Sequence, residues 1–145
     1  MFNNIHNVFK LLSSGICTSV ITDTSNTILS IFKEDYTNYP DLLNVLTELD
    51  LIYKLQIINN FIILIPKKIQ KLKCINIMIH GIKYIINNIY NILITIINII
   101  NKHKLKYLNF LRKINYKQNL LDLKRNSILL NTRFNILLNI LKVIK

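Results

Sequence analysis

Between His103 and Gln118 the chain reads HKLKYLNFLRKINYKQ, in which Lys104, Lys106, Arg112, Lys113 and Lys117 alternate with the rings of Tyr107, Phe110 and Tyr116. Lys102 stands just before this stretch, and Lys124, Arg125 and Arg133 follow it. Cations of this kind neutralise phosphates without reading sequence, and aromatic rings stack on unpaired bases. The candidate RNA-binding set is therefore Lys102, Lys104, Lys106, Tyr107, Arg112, Lys113, Lys117, Lys124, Arg125 and Arg133. Two other readings fit the same residues: a solvated basic face, or the basic flank of a membrane-associated segment.

Catalytic chemistry finds less to work with. The chain contains no GxGxxG, P-loop or GxSxG motif, and its two glycines leave little to cradle a phosphate. The close carboxylate pairs, Glu34 with Asp35 and Glu48 with Asp50, stand at expected helix ends rather than in an acid/base arrangement. Cys17 and Cys74 form no CxxC pair and lie in apolar settings, so both are expected to be buried free thiols. His6, His80 and His103 are scattered. Cys74 and His80 lie six apart without further ligands, and no metal or other cofactor is expected. The chain reads as a non-enzyme.

Composition has two layers. Of 145 residues, 90 are Ile, Leu, Asn or Lys (30, 23, 21 and 16), while alanine and tryptophan are absent. Physics gives no reason to avoid alanine, the best helix former. The bias therefore points to an AT-rich coding genome, such as that of an organelle or a parasite. Charge placement is more telling. Residues 1–50 carry a net charge of −4, residues 51–100 carry +6, and residues 101–145 carry +10. A gradient this steep calls for a polyanionic partner.

The elements that must position these groups follow from local pattern. Ile5, Val8, Phe9 and Leu12 have helical spacing, with Gly15 as the stop. ICTSVIT is rich in β-branched residues and predicts a short strand. Asp23, Thr24, Ser25 and Asn26 can cap a helix, which breaks at YTNYP. Pro40 then opens a helix whose apolar face is Leu42, Leu43, Leu46 and Leu49. LIYKLQIINNFIILIPKK predicts a β-hairpin with strands at 52–58 and 61–65, turning at Asn59–Asn60 and ending at Pro66. IQKLKCINIMI predicts a further strand, with Lys71 and Lys73 on one face.

Tyr84, Asn88, Asn91, Thr95, Asn98 and Lys102 step by four, three, four, three and four, the period of a helix. A helix over about 84–103 would be roughly 30 Å long, enough to cross a bilayer, but its polar stripe fits a core helix better. SILLNTRFNILLNILKVIK places Asn131, Asn135, Asn139 and Lys142 on one stripe of a final amphipathic helix. The expected fold class is α+β: an α-β-α-β-β lobe over 1–83 with a hairpin near 52–65, then a basic, mainly helical region over 84–145. MFNNIHNVFKLL has no small-residue cleavage site, so no secretory leader is expected.

VLTELDLIYKLQIINNFIILIPKK, residues 45–68, resembles the S-eight family of bacterial-type small-subunit ribosomal proteins. Val45, Leu46, Glu48 and Ile52 match that family's helix-end pattern in register. Asp50 stands where the family has glycine, and residues 23–39 read as an insertion. HGIKYI also resembles a family strand, with Gly81 and Lys83 in place and its proline missing. The family's Ser-Thr-rich, rRNA-gripping loop has no counterpart here. The resemblance implies the lobe described above and a structural role on small-subunit rRNA.

The resulting expectation is a structural protein of an organellar ribosome, mitochondrial and in the small subunit, whose partners are rRNA and neighbouring ribosomal proteins. The alternative is a subunit of an organellar inner-membrane complex, spanning once at about 77–101 with a basic matrix-side tail. A third reading binds partners through 126–145 alone. Residues 101–145 are expected to fold only once counter-charge arrives.

Overall fold

Isoleucine resists helix by a few tenths of a kcal/mol relative to alanine, whereas full burial of its side chain is worth about 2 kcal/mol. Where apolar residues recur at helical spacing, burial therefore wins over β-propensity, and it wins throughout the described residues. The computed structural model describes residues 17–33, 38–106, 108, 111 and 113–144. Among these, the regular elements are all helices: α1 (Cys17–Lys33), α2 (Pro40–Leu49), α3 (Leu51–Leu64), α4 (Lys67–Gln70), α5 (Lys73–Lys104) and α6 (Lys117–Ile144). The expected α+β class, with its α-β-α-β-β lobe, is overturned: the fold is helical.

The hairpin expected at 52–65 is the clearest correction. Leu51, Leu55, Ile58, Ile62 and Ile65 are buried, a 4-3-4-3 spacing that only a helix brings to one side. Asn59 and Asn60 lie inside α3 instead of turning the chain. Pro66 does end the element, but the element is a helix. Ile65 takes the extended conformation favoured before proline, at ψ 122°. The Gln70 side-chain amide donates to the carbonyls of Ile65, at 2.7 Å, and Ile62, at 3.2 Å, adding a side-chain tie across the end of the helix.

The other two strands fail for the same reason. ICTSVIT enters α1, whose buried side is Ile21, Thr24, Ile28 and Ile31. The Thr24 hydroxyl donates to Val20 O at 2.7 Å, so it serves the helix interior rather than its cap. IQKLKCINIMI divides between α4 and the first turns of α5. The helix expected to begin at 84 begins at Lys73, so the expected division after residue 83 falls inside one continuous helix. The helix expected over residues 5–12 and the stop at Gly15 lie outside the described residues.

The polar stripe is where the pattern placed it. Tyr84, Asn91, Thr95, Asn98 and Lys102 are exposed and Asn88 is half-buried, while Ile82, Ile85, Ile86, Ile89, Leu93, Ile96 and Ile100 are sealed inside. α5 is thus the spine of a helical bundle. α6 lies antiparallel along it, α1 packs on both α5 and α3, and α2 packs on α6. Asp50 joins α2 to α3 in the left-handed conformation (φ 47°, ψ 43°), which an aspartate tolerates better than most residues. Asn131, Asn135, Asn139 and Lys142 all face outward on α6, as their spacing predicts.

Candidate nucleic-acid interface

The C-terminal turn of α5, the described residues of the connection that follows it (105, 106, 108, 111 and 113–116) and the first turn of α6 form one end of the bundle. Lys102, Lys104, Lys106, Lys113 and Lys117 are gathered there, all exposed. For Lys102 and Lys104 the setting is also structurally favourable, because cations at a helix C-terminus oppose its partial negative charge. Leu108, within the connection, has φ 54°, a left-handed conformation that costs a leucine about 1 kcal/mol. Tyr107 and Arg112 lie outside the described residues.

This end is held by a polar cluster that local sequence does not announce. The Tyr116 hydroxyl donates to Asp41 Oδ1 at 2.5 Å across 75 positions of sequence. The rings of Tyr39 and Tyr116 are tilted by 59° with centroids 6.4 Å apart, and Lys104 Nζ lies 5.9 Å from the Tyr39 centroid. Burial raises the Tyr116 pKa well above the ordinary phenol value, and the bond to Asp41 and its charge push it further. Tyr116 is 4% exposed. It cannot stack on a base, as the interleaved pattern expected; it pins α2 to the start of α6.

The three remaining expected residues divide. Arg125 is exposed and makes a loose ion pair with Asp122 at 3.6 Å, while Gln118 Nε2 donates to the same carboxylate at 3.0 Å. A surface pair of this kind is worth well under about 1 kcal/mol and leaves Arg125 free to exchange partners. Lys124 is half-buried. Arg133 turns inward: its Nη1 donates to Gly81 O at 2.8 Å. A Cβ at position 81 would stand 3.2 Å from that nitrogen, so glycine allows the close approach. Arg133 is thus a strut between α5 and α6.

Lys83 is 9% exposed on α5, despite its charge. Its position on the Ile79–Ile82–Ile86 side was the available signal for that burial. Burial lowers the pKa of nearby His80, and the charge of Lys83 lowers it further. Cys74, expected to be buried, is an exposed free thiol in the first turn of α5. The Cys17 side chain lies outside the described part. Among the described residues, no group of three His, Cys, Asp or Glu side chains could hold a metal ion.

In comparisons with protein-family models, curated proteins and solved structures, nothing matches this chain.

Proposed function

We propose that the chain is a non-enzymatic, RNA-binding structural protein of an organellar ribonucleoprotein, with the mitochondrial ribosome as its assembly. The observation that carries this reading is the exposed group Lys102, Lys104, Lys106, Lys113 and Lys117 at one end of a bundle whose long helix turns most of its isoleucines inward. Five lysines so placed can meet a phosphate backbone by neutralising its charge. With Tyr116 buried, binding through this end is electrostatic and largely indifferent to base sequence. The resemblance of Val45, Leu46, Glu48 and Ile52 names the small subunit as the particle to look in. The lobe it implied is gone, so the proposal stands on charge placement.

The single-span alternative has one observation in its favour: α5 and α6 are both long and apolar enough to cross a membrane. Against it, α5 exposes Tyr84, Asn91, Thr95 and Asn98 and buries Ile82, Ile85, Ile86, Ile89, Ile96 and Ile100, an orientation that favours water over hydrocarbon around its polar stripe.

Sedimentation of detergent-solubilised organelles on sucrose gradients, with and without EDTA, tests the proposal. Co-migration with small-subunit rRNA, shifting when EDTA dissociates the subunits, is the expected outcome. A position indifferent to EDTA, with the protein resisting carbonate extraction from intact membranes, would transfer the case to the membrane reading.

A further inference from the structure

The opposite end of the bundle carries a second basic cluster that the sequence pattern did not single out. Lys67, Lys68, Lys71 and Lys73 occupy α4, the following turn and the first residue of α5, and all four are exposed. Lys142, also exposed, lies near the end of α6. A groove of about 370 Å³ lined by Cys74, Ile136, Asn139, Ile140, Val143 and Ile144 shows the end of α6 lying against the start of α5. Among the described residues the ion pair is Arg125 with Asp122, and none of these five lysines enters it.

Helix polarity makes this cluster harder to dismiss as a solvated face. Lys102 and Lys104 suit the C-terminus of α5. Lys71 and Lys73 stand at its N-terminus, where the peptide dipoles already present positive charge. No acid occupies the first turn of α5, and no side chain caps it. Lys71 and Lys73 stand exposed at the helix end that disfavours cations, where an external anion would favour them, and Lys67 and Lys68 lie exposed in the preceding α4. The 32 residues of α5 hold this end about 48 Å from Lys104, too far for one short RNA strand to reach both.

We propose that Lys67, Lys68, Lys71, Lys73 and Lys142 form a second RNA phosphate-binding pole, so that one chain bridges two RNA segments held apart by α5. The inference rests on the RNA-binding reading above and adds a second site to it. An anionic lipid surface, the other partner such a cluster could meet, is an outcome of the test.

The test uses the full chain and a short single-stranded RNA, with stoichiometry read by native mass spectrometry and salt dependence read by titration. The expected result is two RNAs per wild-type chain, and an immobilised RNA that retains a second, labelled RNA through the protein. Replacing Lys67, Lys68, Lys71 and Lys73 with Gln should leave one RNA bound, abolish retention of the second strand, and lower the summed salt slope by about 3. The same four positions changed to Arg should keep both RNAs, which separates charge from any effect on folding. One RNA bound by wild type, unaffected by the Gln set and lost with Lys102, Lys106, Lys113 and Lys117→Gln, would overturn the second pole and leave the RNA reading standing. Two RNAs still bound by the Gln set would also overturn it. No RNA bound by wild type, with binding to phosphatidylglycerol vesicles instead, would overturn the reading and the inference together.

Discussion

Replacing Asn60 separates a helical 51–65 from a hairpin by the sign of the effect. Asn60 is exposed in the interior of α3, so its substitution disturbs no core packing. In a helix, Asn is about 0.6 kcal/mol worse than Ala and a few tenths better than Gly. Asn60→Ala should therefore stabilise the protein by about 0.5 kcal/mol, and Asn60→Gly should destabilise it by roughly 0.3 kcal/mol. A hairpin turning at Asn59–Asn60 gives the reverse order, because Asn-Gly favours a type I′ turn and alanine opposes its left-handed backbone. The Ala-to-Gly swing of nearly 1 kcal/mol corresponds to about 2–4 °C in Tm for a chain of this size. Thermal melts followed by far-ultraviolet circular dichroism resolve that interval, and a Gly variant melting above the Ala variant would refute the helical argument.

Arg133→Ala removes the strut to Gly81 O and should lower stability by about 1–3 kcal/mol in urea unfolding while RNA affinity in a filter-binding assay stays unchanged. Reduced affinity at full stability would return Arg133 to the interface. Ser127 is 1% exposed and its hydroxyl oxygen has no hydrogen-bond partner, so Ser127→Ala should raise stability by about 1–2 kcal/mol; a loss would mean that the hydroxyl has a partner in solution. Burial, and then the charge of Lys83, hold the His80 imidazole of the folded protein below its ordinary pKa of 6.5. Between the two pKa values the unfolded chain binds the proton that the folded chain resists. Its contribution is thus intact above about pH 6.5 and declines as pH falls toward the folded value. Chemical unfolding in that window should show the decline in wild type and lose this component in His80→Gln.

Legibility followed the source of each signal. The stripe from Tyr84 to Lys102 was readable because it is a periodicity, and codon bias cannot create a regular alternation of four and three. β-Branching misleads about strands in a chain with 30 isoleucines, where Ile reports genome composition more than backbone preference. The buried series Leu51, Leu55, Ile58, Ile62 and Ile65 was present in the same letters, but Asn59–Asn60 was read as a turn. In the basic region, composition located the exposed lysines at 102–117 but could not separate an outward cation from a strut. Arg133 looks inward only once Gly81 is opposite it, 52 positions away in sequence. The bond from Tyr116 to Asp41 is equally non-local, so an aromatic among lysines looked like a stacking platform when it was a core residue. Strand spacing puts Lys71 and Lys73 on one face of an expected strand, which conceals that they stand at a helix N-terminus, with Lys67 and Lys68 in the short helix before it.

Charge and burial also assign different causes to the folding of the C-terminal region. Residues 101–145 were expected to fold only with counter-charge, on the ground of a net +10. In the bundle, α6 buries Leu120, Leu123, Leu130 and Leu137, chiefly toward α5 and α2. At about 2 kcal/mol each, those four side chains contribute on the order of 8 kcal/mol that a detached peptide cannot recover. Exposed like charges at the basic end are screened by salt and oppose folding far less. An isolated 101–145 peptide would therefore lack helix with or without strong self-repulsion, and its disorder would not identify the charge as the cause. Only in the full chain, where burial is constant, does a response of the basic end to RNA report electrostatics.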